Sequence, residues 1–414
     1  MSYSRAHGDG LRLYIDAMNW LFSRGVSRAG EWTERNTGAW AYNAAAKDNK
    51  YTLIDMNPMK PCSFDTSANP AGHIMYQADL QVAAGMPIKQ LAVMGHNAVS
   101  AQACFRLAHN TSIISAVGAG STVGTVATQP VSVLNGTVSP ASGATLGEDI
   151  NTVETVWTVS NGLLFTVGEL LWVKEDANNE VVKVVSIATN DLTVTRAQQG
   201  TIAGEFHTGV IVKRYNVIQP TTDGDLILTF PEQDDQRYWA IEIIPSDGAF
   251  STTDLEIGSI QIGDYHDFNI APDLTVSHGF MQEGVKTRNT PAGRQITFAH
   301  HLSNNDSPES YAPFRFNDDY FRRMTGKEHW DMTWKGDDDT KIYPADISAP
   351  GSGSLVADFI LKTSINFLPF ILCTNTGSTD EGDYMWTKLD QSAFDTLQKA
   401  WQWTGFSLKF LQKF

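Results

Sequence analysis

Apolar residues fall in short runs broken by Gly, Asn, Asp, Ser and Thr, and the runs have the length of strands rather than helices. Residues 75–82 alternate as a half-buried strand does. Residues 88–94 form a longer apolar run that enters the tight turn Gly95-His96-Asn97, and residues 102–107 continue the pattern. Matching runs recur far along the chain at 225–230, 238–244 and 255–263. The pattern predicts one sandwich split in two by an insert, with the strands near 90 and near 240 side by side in one sheet. Residues 111–150 carry few charges and read as a partly ordered connection into the insert. Within 151–215, the β-branched runs 181–187 and 192–196 flank the polar turn Thr189-Asn190-Asp191, which predicts a hairpin. Residues 170–173 and 210–214 supply further strands.

Two segments show helical spacing instead. Leu11, Tyr14, Ile15, Met18, Leu21 and Phe22 recur at intervals of three and four, with Asp9 able to cap and Gly25 able to end a short amphipathic helix. Such a helix either docks on a partner or packs on its own domain. Phe394, Leu397, Ala400 and Trp401 predict a second helix over 391–403, followed by a closing strand at 406–411. Phe298, Trp330, Trp334, Phe359, Phe367, Phe370, Trp386 and Trp403 give the last third a heavy aromatic content, so a true core is expected there.

The expected fold is mainly β: multi-domain β-sandwiches with a short N-terminal helix. The expected divisions are residues 1–28 as helix or docking arm, 29–116 with 214–270 as the split sandwich, 117–213 as the inserted β-rich module, and 271–414 as a C-terminal β-sandwich. A length of 414 residues suits several domains, and 18% charged residues with 33 glycines suits a β-dominated protein. The net charge of −16 argues against non-specific nucleic-acid binding, which needs a basic surface. Cys62, Cys104 and Cys373 form no CxxC pair and read as buried thiols, which fits assembly in a reducing cytoplasm. Neither a basic-then-apolar leader nor a run long enough to span a bilayer stands in the sequence.

Candidate chemistry is sparse. Adjacent His300 and His301 point to opposite faces of a strand, and Glu328-His329 lacks the spacing of a zinc site. Asp337-Asp338-Asp339 lacks alternating calcium ligands and reads as a solvated hairpin tip. Asp234-Asp235 and Asp264/Asp267 offer carboxylates without the separation a glycosidase needs. His96 is expected to bond neighbouring backbone. No catalytic, cofactor-binding or metal residue is assigned, and the chain is expected not to be an enzyme.

Several quoted segments carry a resemblance. The turn Leu91-Ala92-Val93-Met94-Gly95-His96-Asn97, with Tyr238-Trp239-Ala240-Ile241 and Ile257-Gly258-Ser259-Ile260-Gln261-Ile262-Gly263, resembles discoidin-like (galactose-binding-like) jelly rolls of phage tail proteins. Val167-Gly168-Glu169-Leu170, Val181-Val182-Lys183-Val184 and the 192–201 run are similar to a small β-module of tail and baseplate proteins. Trp330-Asp331-Met332-Thr333-Trp334, Lys362-Thr363, Leu368-Pro369-Phe370-Ile371 and the final strand resemble the ring-forming sandwich of distal tail proteins. The resemblance covers most of the chain from about residue 60. It implies a structural component of a tailed-bacteriophage virion, at the tail tip or baseplate. Such a protein would assemble into a homo-oligomeric ring and link tube, hub and fibre proteins. The alternative it implies is a tail protein that binds a receptor glycan through the discoidin-like domain, with Trp40, Tyr42 or Tyr265 as stacking platforms.

Overall fold

The computed structural model describes residues 10–24, 53–117, 123–281 and 327–413, with short breaks, together with the strands Trp32–Glu34, Val285–Asn289 and Gln295–Ala299. Strands dominate, and the chain divides into two compact units: residues 21–261, and residues 1–20 with 262–414. Among the described residues no helix is long and apolar enough to cross a membrane.

In the 21–261 unit, Ile88–His96 pairs antiparallel with Gly224–Gln233, which pairs on its other side with Ser132–Leu134. A second sheet runs in the order Gly136–Val138, Ile218–Pro220, Ala103–Asn110, Tyr238–Pro245, Ile74–Asp79 and Trp32–Glu34. The sheets meet face to face through His96 on Phe105 (ring centroids 5.8 Å apart) and Phe230 on Trp239 (5.7 Å). The expectation that the strands near 90 and near 240 are neighbours is therefore corrected: they stand in opposite sheets of one sandwich. Gly224–Gln233 takes the place beside Ile88–His96, and the chain then crosses to the facing sheet instead of turning back as a hairpin. Both strands are buried at nearly every position and show no apolar–polar alternation, so the pattern carries no information about which sheet each joins.

That lack of alternation has a structural cause. Tyr238–Pro245 is buried at every position. Its odd-numbered side chains face the sandwich interior, while Tyr238 and Ala240 join a cluster with Met75, Ala108, Leu170 and Val181 on the other face. Leu170 and Val181 belong to the insert, so this sheet is covered on both sides and its strands read as largely apolar runs without alternation.

The insert is a six-stranded antiparallel sheet in the order Ala144–Thr145, Ile211–Arg214, Leu170–Glu175, Asn178–Ala188, Asp191–Gln198 and Val156–Thr158. The hairpin read from the sequence is present, with Thr189 in a left-handed conformation (φ 59°) at its turn. One face of the sheet, through Leu171, Val173, Val182 and Val184, closes over Trp157 and Phe206. Residues 132–138 pair with the two sandwich sheets, so the connection is itself part of the sandwich.

In the other unit an antiparallel sheet runs Ser277–Met281, Lys327–Asp338, Trp403–Gln412, Tyr384–Leu389, Phe370–Cys373, Arg12–Asp16 and Ser259–Asp267. Its inner face, with Trp330, Trp334, Phe370 and Phe406, packs on Phe359 and Ile360 of the π-helical turn Val356–Ile360. Trp334 is stacked between Phe268 (4.7 Å) and Phe406 (4.8 Å), so the expected aromatic core is real. Trp401 and the Phe298 side chain lie outside the described residues.

Both helical expectations change. Residues Arg12–Asp16 form a strand, and the helix is the shorter Ala17–Ser23. Leu11, Leu13 and Ile15 all enter the core, a period of two that overlaps the helical spacing in the sequence. The helix is capped by Asp16, whose Oδ1 accepts from Met18 N (2.9 Å) and Asn19 N (3.3 Å); Asp9 and Gly25 lie outside the described residues. Burial raises the Asp16 carboxyl to about 6. The helix expected over 391–403 is instead the strand Thr396–Ala400 on Trp403–Gln412, with Leu397 exposed rather than buried on a helix face.

Candidate functional site

Four charged side chains lie at the junction of insert and sandwich, and none is more than 1% exposed. Arg106 and Glu242 are register partners on adjacent sandwich strands, with Nη1 donating to Oε2 at 2.9 Å. From the insert, Glu169 accepts from the Arg214 Nε and stands 3.9 Å from Arg106 Nη2. Backbone carbonyls complete the cluster: Arg106 donates to Tyr215 O (3.0 Å) and Leu170 O (3.4 Å), and Arg214 to Ser246 O (2.9 Å). Two cations and two anions cancel. Burial alone would lower the Arg214 pKa, but Glu169, Cys104 and Glu242 together more than offset it and the net shift is upward. Cys104, buried beside these charges, is pushed up to about 12, which makes it an inert thiol. The cluster ties the insert to the sandwich through side-chain and backbone partners from both.

The residues singled out from the sequence are dispersed. His96 is buried, and its Nδ1 accepts from Ala98 N at 3.2 Å, so it bonds neighbouring backbone as expected. Asn97 bonds Asp254 O (2.9 Å) and Glu256 N (2.7 Å) across the loop. Asp264 and Asp267 are an odd number of residues apart on one strand and face opposite ways. Asp264 is buried against Lys362 (3.1 Å), which also approaches Asp358 (3.8 Å), whereas Asp267 pairs with Arg12 on the outside. The ring of Tyr265 is covered by the Arg12 guanidinium, 3.8 Å from its centroid, and is no free platform. Glu328 is buried with His278, not His329, as its nearest imidazole (3.7 Å), and His278 stacks on Trp330 at 3.9 Å. Trp40, Tyr42, Asp234, Asp235, His300 and His301 lie outside the described residues. Among the described residues no three His, Cys, Asp or Glu converge as a metal site would require. All three cysteines are buried and none is in a disulfide.

Burial holds His96 at about 4, against 6.5 for an ordinary histidine, with Asp223 partly opposing the shift. A depressed histidine means that the unfolded chain takes up a proton first as pH falls. Stability is therefore lost from pH 6.5 downward and the loss is complete near pH 4, about 3 kcal/mol for this one group. Urea titrations of the intact protein from pH 7 to pH 4, following the 21–261 unit by hydrogen exchange, should show this loss; His96→Gln should flatten it. An equal slope in the variant would contradict the assignment.

The acidic run marks a corner rather than a hairpin tip. Asp337 and Asp338 end a strand, and Asp338 caps the single helical turn Asp339–Ile342 through Thr340 N (2.9 Å). Asp339 accepts from the Thr404 hydroxyl, tying this turn to the last strand. The turn delivers Tyr343, whose hydroxyl bonds Thr396 Oγ1 at 2.6 Å. Tyr343 (43% exposed), Leu397 (65%) and Trp403 (52%) are each exposed on this turn and the two paired strands that adjoin it, and Tyr343 is held by its bond to Thr396. Exposed large apolar and aromatic side chains are what interaction surfaces are built from. No protein-family model matches the sequence, and no curated protein matches it.

Proposed function

We propose that the chain is a structural component of a tailed-phage virion, placed at the tail tip or baseplate, where copies close into a ring that joins the tube to hub or fibre proteins. Support comes first from the resemblance carried by the segments around Gly95, Trp239, Gly258, Leu170 and Trp330. The observation that carries most weight is the exposure of Tyr343, Leu397 and Trp403 on adjoining elements, with Tyr343 held by its bond to Thr396. Isolated exposed apolar residues mean little, but an aromatic group fixed in place is what a repeated subunit contact uses. Heterologous contacts of this kind form a ring when the rotation between neighbouring copies closes.

Light scattering on the purified chain tests this. The native protein should form a closed oligomer, and Leu397→Asp with Trp403→Glu should shift it to a smaller species with unchanged circular dichroism. A native protein that remains a monomer at high concentration would end the proposal.

A further inference from the structure

The insert carries an open groove of about 570 Å³ lined by Trp172, Lys174, Asp176, Gly209, Ile211 and Lys213. Trp172 and Lys213 are register partners on adjacent strands, and Lys174 lies two residues further along on the same face as Trp172. The Lys213 Nζ stands 5.9 Å from the Trp172 ring centroid, and the indole N–H is engaged by Asn179, which fixes the ring plane. Ile211 is 45% exposed at the rim, and a Cβ at Gly209 would meet nothing within 4 Å, so the mouth is wide. On a chain of net charge −16, a concavity with two ammonium groups and one carboxylate is locally cationic.

We propose that this groove binds an anionic saccharide. The indole offers an apolar plane to the C–H face of a sugar ring. Lys174 and Lys213 flank that plane and would take a carboxylate or sulfate, while Asp176 at the far end accepts hydrogen bonds from hydroxyls. An acidic peptide fits less well. The strand Ile211–Arg214 is already paired on both sides, so no free edge is offered for strand addition. The site is separate from the exposed corner proposed for ring contacts, so binding can be measured whatever the oligomeric state.

Isothermal titration of the full chain with tetragalacturonate, sialyllactose and a sulfated disaccharide tests the proposal, with methyl-esterified tetragalacturonate as the neutral control. At least one acidic ligand should bind, at least tenfold more tightly than the neutral control, and more weakly as salt rises. Lys174→Ala with Lys213→Ala, both surface changes, should weaken binding tenfold or more, and Trp172→Ala should abolish it. Since Trp172 also packs on the sandwich, the lysine pair is the deciding variant and Trp172→Phe a milder check. The proposal is overturned if none of the three acidic ligands binds, if the lysine variant binds as well as native protein, or if hexaglutamate competes equally.

Discussion

Glu169→Ala should destabilise the 21–261 unit by about 3–5 kcal/mol, because it leaves the buried Arg214 without its carboxylate and Arg106 with one anion fewer. The effect should be large although no apolar surface is lost, since two desolvated guanidiniums would face each other across the junction. Arg106→Ala should act similarly, stranding Glu242 on the sandwich face that the insert covers. A different result is expected when all four charges go together. Arg106→Met, Glu169→Leu, Arg214→Met and Glu242→Leu in one protein should recover most of the loss, because a buried neutral quartet is worth little more than an apolar one of the same volume. Urea unfolding with hydrogen exchange read in the insert strand Asn178–Ala188 measures both cases. If Glu169→Ala costs less than about 1 kcal/mol, as an exposed pair would, the junction is not the dry cluster described above.

Gly258→Ala should be nearly as damaging, for a steric reason. A Cβ at residue 258 would stand 2.0 Å from the Pro58 carbonyl oxygen, with the rest of Pro58 just behind. The Gly258 N–H bonds Met94 O (2.9 Å) and Gly95 O (3.1 Å), so three backbone segments meet where no side chain fits. Overpacking against backbone cannot be relieved by rotating a side chain, and the expected cost is about 3 kcal/mol or more. Gly95→Ala combines a left-handed backbone (φ 61°) with a 2.7 Å approach to the same oxygen and should also destabilise strongly. Gly209 provides the contrast: its φ is 88°, yet an added Cβ meets nothing, so alanine there should cost only about 1 kcal/mol. Thermal unfolding of the three variants separates crowding from conformational strain. Equal losses at all three positions would show that crowding at Pro58 is not the cause.

The sequence exposed the β content, the insert hairpin and the aromatic core because each is written in a local period. Pairing was less legible. Ile88–His96 and Tyr238–Pro245 both lack apolar–polar alternation, and only long-range packing decides that they occupy facing sheets. At the N-terminus, Leu11, Tyr14, Ile15 and Met18 satisfy a helical period while Leu11, Leu13 and Ile15 satisfy a strand period, and the core selects the second for the first five residues. Near residue 397, spacing alone suggested a buried helix face, whereas cross-strand bonding to Trp403–Gln412 decides the outcome and leaves Leu397 in solvent. The ion cluster had a visible signal that went unread. Arg106, Glu169 and Glu242 each interrupt an otherwise apolar run, and a lone charge inside such a run needs an opposite charge nearby. Trp172, Lys174 and Lys213 carried no comparable signal, because their convergence depends on register between strands some forty residues apart.

Assembly is the central proposal, and a reconstruction of the tail tip of phage particles expected to contain this chain tests it most directly. The account predicts a closed ring of copies with Tyr343, Leu397 and Trp403 buried against a neighbouring subunit. Particles in which the chain is absent, or present only as isolated copies with that corner in solvent, would contradict it.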